Sequence, residues 1–147
     1  MKILVVTSYL SRVRELHYEG FTCFCIARFP PSWWKGRCLR AFAPSEALLR
    51  RLYEASLAGN KLDYFHEYLW ELKNNPEGVG AALQDIRRAA AANENKQIAL
   101  LCFEKNHTQC HRTVLAEYLR GQTYTQDFEG WEEWKPEQKG GMLGDGR

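Results

Sequence analysis

The residues with the most chemical reach fall in one stretch, Leu101-Cys102-Phe103-Glu104-Lys105-Asn106-His107-Thr108-Gln109-Cys110-His111-Arg112. The apolar run from Gln97 to Phe103 leads into it, and a helical stripe of Val114, Leu115, Tyr118 and Leu119 follows. The stretch therefore joins the end of a strand to the start of a helix. With Thr108 as N-cap, Cys110 and His111 fall in the first helical turn. There, unsatisfied backbone N–H groups and the helix dipole favour an anion and make a thiol more acidic. Arg112 adds a permanent planar donor suited to phosphate or carboxylate. Glu104, at the strand tip, is placed to act as acid, base or hydroxyl acceptor. Glu104, Cys110 and His111 are thus the candidate catalytic residues and Arg112 a candidate anion clamp. Neighbouring helical residues point about 100° apart, so a direct Cys110–His111 pair of the protease kind is not expected. Cys-His-Arg is also too short for a phosphatase loop. The plainer alternative packs Cys110 under the sheet and bonds His111 to the loop.

Cys102, His107, Cys110 and His111 would be the ligands of any metal site. Their spacing matches neither of the usual zinc pairings, Cys-x₂₋₄-Cys or His-x₃₋₅-His, so no cofactor is expected and zinc is the one candidate. A second chemical region lies between Gly20 and Ser45, which contains no Asp or Glu. Arg28, Lys35, Arg37 and Arg40 interleave there with Phe29, Trp33, Trp34 and Phe42. Cations among aromatic faces suit a nucleotide or a single strand. Arg28 and Lys35 are candidate phosphate contacts and Trp34 a cover for a ring. The alternative packs one or both Trp on the helices.

These residues need a scaffold. Lys2 to Thr7 and Phe21 to Ala27 read as buried strands, the second stopped by Arg28-Phe29-Pro30-Pro31. Three helical stripes follow, the first capped by Ser45 and the third restarted by Pro76. Gln97 to Phe103 is apolar on both faces, as central strands of parallel sheets are. A last helix closes at Gly121, and Thr123 to Phe128 is a candidate final strand. Strands alternating with helices predict a small single-domain, three-layer, Rossmann-like α/β fold with a short, mostly parallel sheet. Ligands of such sheets bind at the carboxyl ends of the strands, where Thr7 and Ser8 would add hydroxyls to the rim. The expected domain covers residues 1–128. Residues 129–147 form a tail, first rich in Trp and acids and then in Gly.

Two long motifs and a shorter third segment resemble the domain of unknown function family 488. They are Cys102-Phe103-Glu104-Lys105 followed by Cys110-His111-Arg112, then Ala27-Arg28-Phe29-Pro30-Pro31 with Trp33-Trp34-Lys35-Gly36, and Ala43-Pro44-Ser45. Larger members of the family read Asp-Val-Arg where this chain has Ile26-Ala27-Arg28. The resemblance implies a small α/β domain and supplies no reaction.

Composition narrows the class. The chain has 147 residues, 45% hydrophobic and 26% charged, which excludes wholesale disorder, collagen and coiled coil. No apolar run approaches the roughly 20 residues of a membrane-spanning helix, and no signal peptide is recognised, so a cytoplasmic protein is expected. Five cysteines without a secretion signal argue against a disulfide scaffold. The net charge of +2 conceals seven basic against two acidic side chains from Met1 to Ser45, a local balance of +5. The function expected is a small enzyme or binding domain for a phosphate-bearing, nucleotide-like ligand, with transfer or hydrolysis at a base–sugar bond as its most concrete form. The alternatives are a non-catalytic nucleic-acid-binding accessory protein and a Cys/His metal or redox module. The partner expected is an anionic small molecule or nucleotide, with nucleic acid as the alternative and no membrane. The sequence leaves the oligomeric state open.

Overall fold

Five parallel strands form one sheet in the order β3-β2-β4-β1-β5. They are β1 (Ile3–Tyr9), β2 (Thr22–Cys25), β3 (Arg37–Cys38), β4 (Gln97–Cys102) and β5 (Phe128–Glu133). The helices are α1 (Val13–Tyr18), α2 (Glu46–Leu57), α3 (Tyr64–Lys73), α4 (Pro76–Ala91) and α5 (His111–Arg120). This is a computed structural model, and it describes residues 2–136. The residues from 137 onward, which include the expected Gly-rich tail, lie outside that range. Among the described residues no helix is long and apolar enough to cross a membrane.

The architecture has three layers. Ile3 and Val5 of β1, Phe24 of β2 and Ile98, Leu100 and Cys102 of β4 face the packed side chains of α2 to α5. Val6, Cys23, Cys25, Ala99 and Leu101 face the other way, onto Leu16 of α1. The two faces follow from the period-2 alternation of strand side chains. Because β4 is apolar on both, it sits in the middle. The chain leaves β1 through α1 toward β2 and leaves β4 through α5 toward β5. These opposite directions put α1 and α5 on opposite faces, as right-handed crossovers require.

Local chemistry accounts for the helix starts. The Ser45 hydroxyl accepts from Leu48 N–H at 3.0 Å, and Pro76 opens α4 behind an Asn75 cap. Two elements are absent from the sequence expectation. α1 has six residues and only one fully buried apolar side chain, too little for a periodic signal. β3 has two residues and lies on the sheet edge.

The last strand corrects the expectation in register. Thr123 to Thr125 form a 3-10 turn, and the strand starts at Phe128 and runs to Glu133, into residues assigned to the tail. Val5 pairs with Gly130 and Val6 with Glu132, so Trp131 is an extra, bulged residue. Gly130 has φ +93, and a Cβ there would stand 2.8 Å from the Val5 carbonyl oxygen. Trp131, also at positive φ, is buried in the α5-side core against Phe128. A one-residue bulge reverses the side-chain parity beyond it. Glu133 thereby shares the face of Thr7, whose hydroxyl donates to its Oε1 at 2.8 Å.

Candidate functional site

The carboxyl ends of β2 and β4, the N-terminus of α5 and one side of α2 and α3 enclose a pocket of about 350 Å³. Its walls carry Arg28, Glu104, Tyr64, Cys102, Cys110 and His111, with Ala27, Phe29, Pro44, Leu49, Leu52 and Phe103 supplying apolar surface. Phe29 and Phe103 are 58% and 53% exposed, so two aromatic rings stand at its mouth. The site thus lies where the sheet rule places it. Five residues that the sequence analysis singled out, Arg28, Cys102, Glu104, Cys110 and His111, converge there.

The helix start differs from the expectation, and the difference changes the chemistry. Residues His107–Gln109 form a 3-10 turn capped by Asn106, and Cys110, not Thr108, is the N-cap of α5. Cys110 is extended, with φ −126 and ψ 143. The helical angle between neighbours therefore does not apply, and Cys110 Sγ lies 3.9 Å from His111 Nδ1. The direct approach that helix geometry argued against is present. His111 Nε2 donates to the Ile26 carbonyl at 2.8 Å, which leaves Nδ1 as the bare nitrogen toward the thiol. Burial pushes the His111 pKa down to about 4 against the opposing effect of the Ile26 bond, and the nearby Arg112 charge lowers it further. The imidazole is neutral at physiological pH. Its ring packs edge-on to Tyr68, centroids 5.1 Å apart, and the Tyr68 hydroxyl donates to the Phe42 carbonyl.

Cys102 and Cys110 also meet. Their sulfurs stand within bonding distance, with Cα atoms 7.7 Å apart, and together with His111 Nδ1 they form one buried cluster of possible ligands. The cysteine count argues against a disulfide scaffold, and the sequence brings Cys102 and Cys110 together only as possible ligands of one metal site. His107 is not in the cluster and instead contacts Thr113.

Arg112 is corrected from anion clamp to internal strut. It is 0% exposed. Nε and Nη2 form a two-pronged pair with Glu133, at 2.9 and 2.8 Å. Nη1 donates to Cys102 Sγ at 3.1 Å and to the Glu104 carbonyl, and Nη2 to the Lys105 carbonyl at 3.1 Å. All five N–H groups are taken, and none is left for a ligand. The guanidinium instead holds the main chain that carries Glu104.

Arg28 has the opposite balance. It donates from Nε to Pro44 O at 2.8 Å and from Nη2 to Arg40 O at 3.3 Å. Among the described residues its other N–H groups are unclaimed, and it faces the pocket. The remaining predicted contacts lie elsewhere. Thr7 is spent on Glu133. Ser8 is fully buried with its hydroxyl unpartnered. Trp34 packs on the α1 face, across the sheet from the pocket, because the chain turns back after Pro31. Lys35 is exposed outside the pocket.

Tyr64, the first residue of α3, was missed by sequence reasoning. Burial together with the charges of Glu71 and Glu104 pushes its hydroxyl up to about 12. It stays protonated beside Glu104, a hydrogen-bond donor that no spacing signals in advance.

Among curated proteins and among solved structures, nothing matches the chain. A family described as "Active DUF488-N3 subclade" matches residues 7–123, a span that holds α1 to α5, four of the five strands in whole or part, and every wall of the pocket. By that match over most of its length, the chain belongs to the DUF488-N3a family.

Proposed function

We propose that the chain is a small enzyme that binds a phosphate-bearing, nucleotide-like molecule in this pocket and acts at its base–sugar bond. The observation that carries the reading is the opposition within one pocket of a cation with free donors, Arg28, and a carboxylate on a braced loop, Glu104, beneath two half-exposed rings. A planar base suits the faces of Phe29 and Phe103, and a phosphate suits the unclaimed fork of Arg28. Glu104 then attacks the sugar carbon or activates the group that does. The protonated Tyr64 hydroxyl donates to the departing base. The word "active" in the family's description supports an enzyme over a binding module. A cytoplasmic setting, where thiols stay reduced, suits the unpaired Cys23, Cys25 and Cys38.

A thermal-shift screen against nucleotides, nucleosides and sugar phosphates tests the reading, since a ligand of the native state raises the melting temperature. Phosphate-bearing nucleotides should raise it for the natural chain and fail to do so for Arg28→Ala. Glu104→Gln should keep the shift and lose release of free base. Absence of any shift across the panel overturns the proposal.

One observation favours a second reading. Trp33 is 51% exposed, and Lys35, Arg37 and Arg40 are exposed around it, outside the pocket. A single-stranded nucleic acid would track that basic, aromatic surface. Its affinity would fall steeply with salt as counterions are released, whereas a mononucleotide in the pocket would show a shallow slope.

A further inference from the structure

The pocket floor holds three groups that the proposed reaction does not use: Cys102, Cys110 and His111. We propose that they form a zinc site with one coordination position open to the pocket. Their ligand atoms lie within 4.8 Å of one another, and all three side chains are buried. Two sulfurs and one imidazole nitrogen are a soft donor set that selects zinc over magnesium or calcium. Three protein ligands with a fourth position free are the arrangement of zinc sites that do chemistry, and closed structural sites use four. The same three residues line the pocket, so a ligand entering it would reach an ion held there.

The surroundings of the three ligands fit an ion. The His111 Nε2–H is fixed on the Ile26 carbonyl at 2.8 Å, so the lone pair of Nδ1 is the one turned to the cluster. A backbone carbonyl behind a metal-bound imidazole is the usual orienting contact. Arg112 Nη1 donates to Cys102 Sγ at 3.1 Å, a charge-assisted bond that holds a sulfur anion and fixes its direction. Two thiolates and a neutral imidazole on a divalent cation carry no net charge, and Arg112 is itself balanced by Glu133. The assembly can therefore be buried without an unpaired charge.

The backbone spacing agrees. The Cα atoms of Cys102 and Cys110 are 7.7 Å apart, wider than the roughly 4.4–6.8 Å that disulfides usually span.

The site stands on Cys102, Cys110 and His111 alone and does not rest on the ligand assigned to Arg28 and Glu104. The full chain, produced with zinc in the medium and purified under reducing conditions without chelator, should carry one zinc per chain by elemental analysis. Replacing the zinc with cobalt should give an intense thiolate-to-cobalt charge-transfer band in the near ultraviolet. Cys110→Ser and Cys102→Ser should each lose the zinc and that band, while Cys38→Ser keeps both. Cobalt titration of the chelator-treated natural chain, followed by the same band, gives a measurement that does not depend on either serine variant folding. A metal-free natural chain that shows no such band overturns the proposal, all the more if peptide mapping finds a Cys102–Cys110 bridge. So does zinc that survives in both serine variants. Arg28→Ala should keep its zinc, so failure of the ligand reading and failure of the metal reading are told apart.

Discussion

The two faces of the sheet carry the same residue type in equal burial and opposite chemical settings. On the α1 side, Cys23 and Cys25 alternate along β2 among Val6, Leu16, Ala99 and Leu101. Burial alone raises the Cys23 thiol to about 12, and burial, partly offset by a bond involving the Ala27 backbone, raises Cys25 to about 11. On the α5 side, Cys102 and Cys110 are no more exposed, yet one receives a guanidinium N–H and the other faces the bare nitrogen of an imidazole. Equal depth therefore comes with different neighbours on the two faces. The polar groups at Cys102 and Cys110 come from the start of α5, and Glu133 of the bulged strand β5 holds one of them, Arg112, in place.

The widest gap between the faces should be in thiol reactivity. At mildly alkaline pH a thiol raised to about 11 or 12 is ionised on the order of a hundred- to a thousandfold less than an ordinary thiol near pKa 8.5. In the reduced, metal-stripped native chain, iodoacetamide should label Cys110 through the pocket, and also the partly exposed Cys38, long before Cys23 or Cys25. Peptide mapping over time reads the order. Labelling of Cys23 at the rate of Cys110 would erase the distinction between the faces.

The same contrast separates what the sequence could show from what it could not. The strands β1, β2 and β4 each carry a short apolar run, and Ser45 and Pro76 mark helix starts by their own chemistry, so the layers and the parallel sheet were legible. The strand-to-helix junction was legible too, because an acid, two thiols, two imidazoles and a guanidinium fall within twelve residues. Arg112 was legible as important and not as a strut. Its partner Glu133 lies on another strand, and only the extra residue Trp131 turns that carboxylate to the right face. Alternation cannot be read through a bulge, and the expected last strand, Thr123 to Phe128, shares only Phe128 with β5. Trp34 failed for a related reason: the side on which a loop leaves Pro31 depends on the sheet it returns to. Tyr64 joins the pocket through the packing of α3 against α5, a contact between distant segments with no local signature.

The strut predicts the largest loss of stability. Arg112→Ala leaves Glu133, which is itself largely buried, without its counter-charge and releases the Glu104 and Lys105 carbonyls. Removing one partner of a buried pair costs about 3–5 kcal/mol, and urea unfolding measures it. Any surviving fold should also bind pocket ligands poorly, since the loop bearing Glu104 loses its brace. A loss under about 1 kcal/mol would reduce Arg112 to the rank of a surface pair and return it to the candidates for ligand binding.

A second two-pronged pair shows how much of that effect comes from burial. Arg87 of α4 donates to Asp127 from Nε at 2.7 Å and from Nη2 at 3.0 Å, just before β5, but both side chains are about a third exposed. The Arg87 bonds hold the Asp127 carboxyl below its ordinary range against a smaller opposing effect of burial. A carboxyl whose folded pKa lies below its unfolded one binds fewer protons when folded. Its contribution to stability is therefore complete above the unfolded value, about 3.9, and disappears as pH falls through the folded value. Solvent screening limits that contribution to about 0.5–1 kcal/mol. Asp127→Asn should destabilise the chain by that much at neutral pH and by nothing measurable once Asp127 is protonated in the folded and unfolded chain alike. About 1 M salt should shrink the difference, because ions screen an exposed pair, and should leave the loss in Arg112→Ala nearly intact. If salt weakened both pairs equally, geometry and not burial would set the strength of the Arg112 strut.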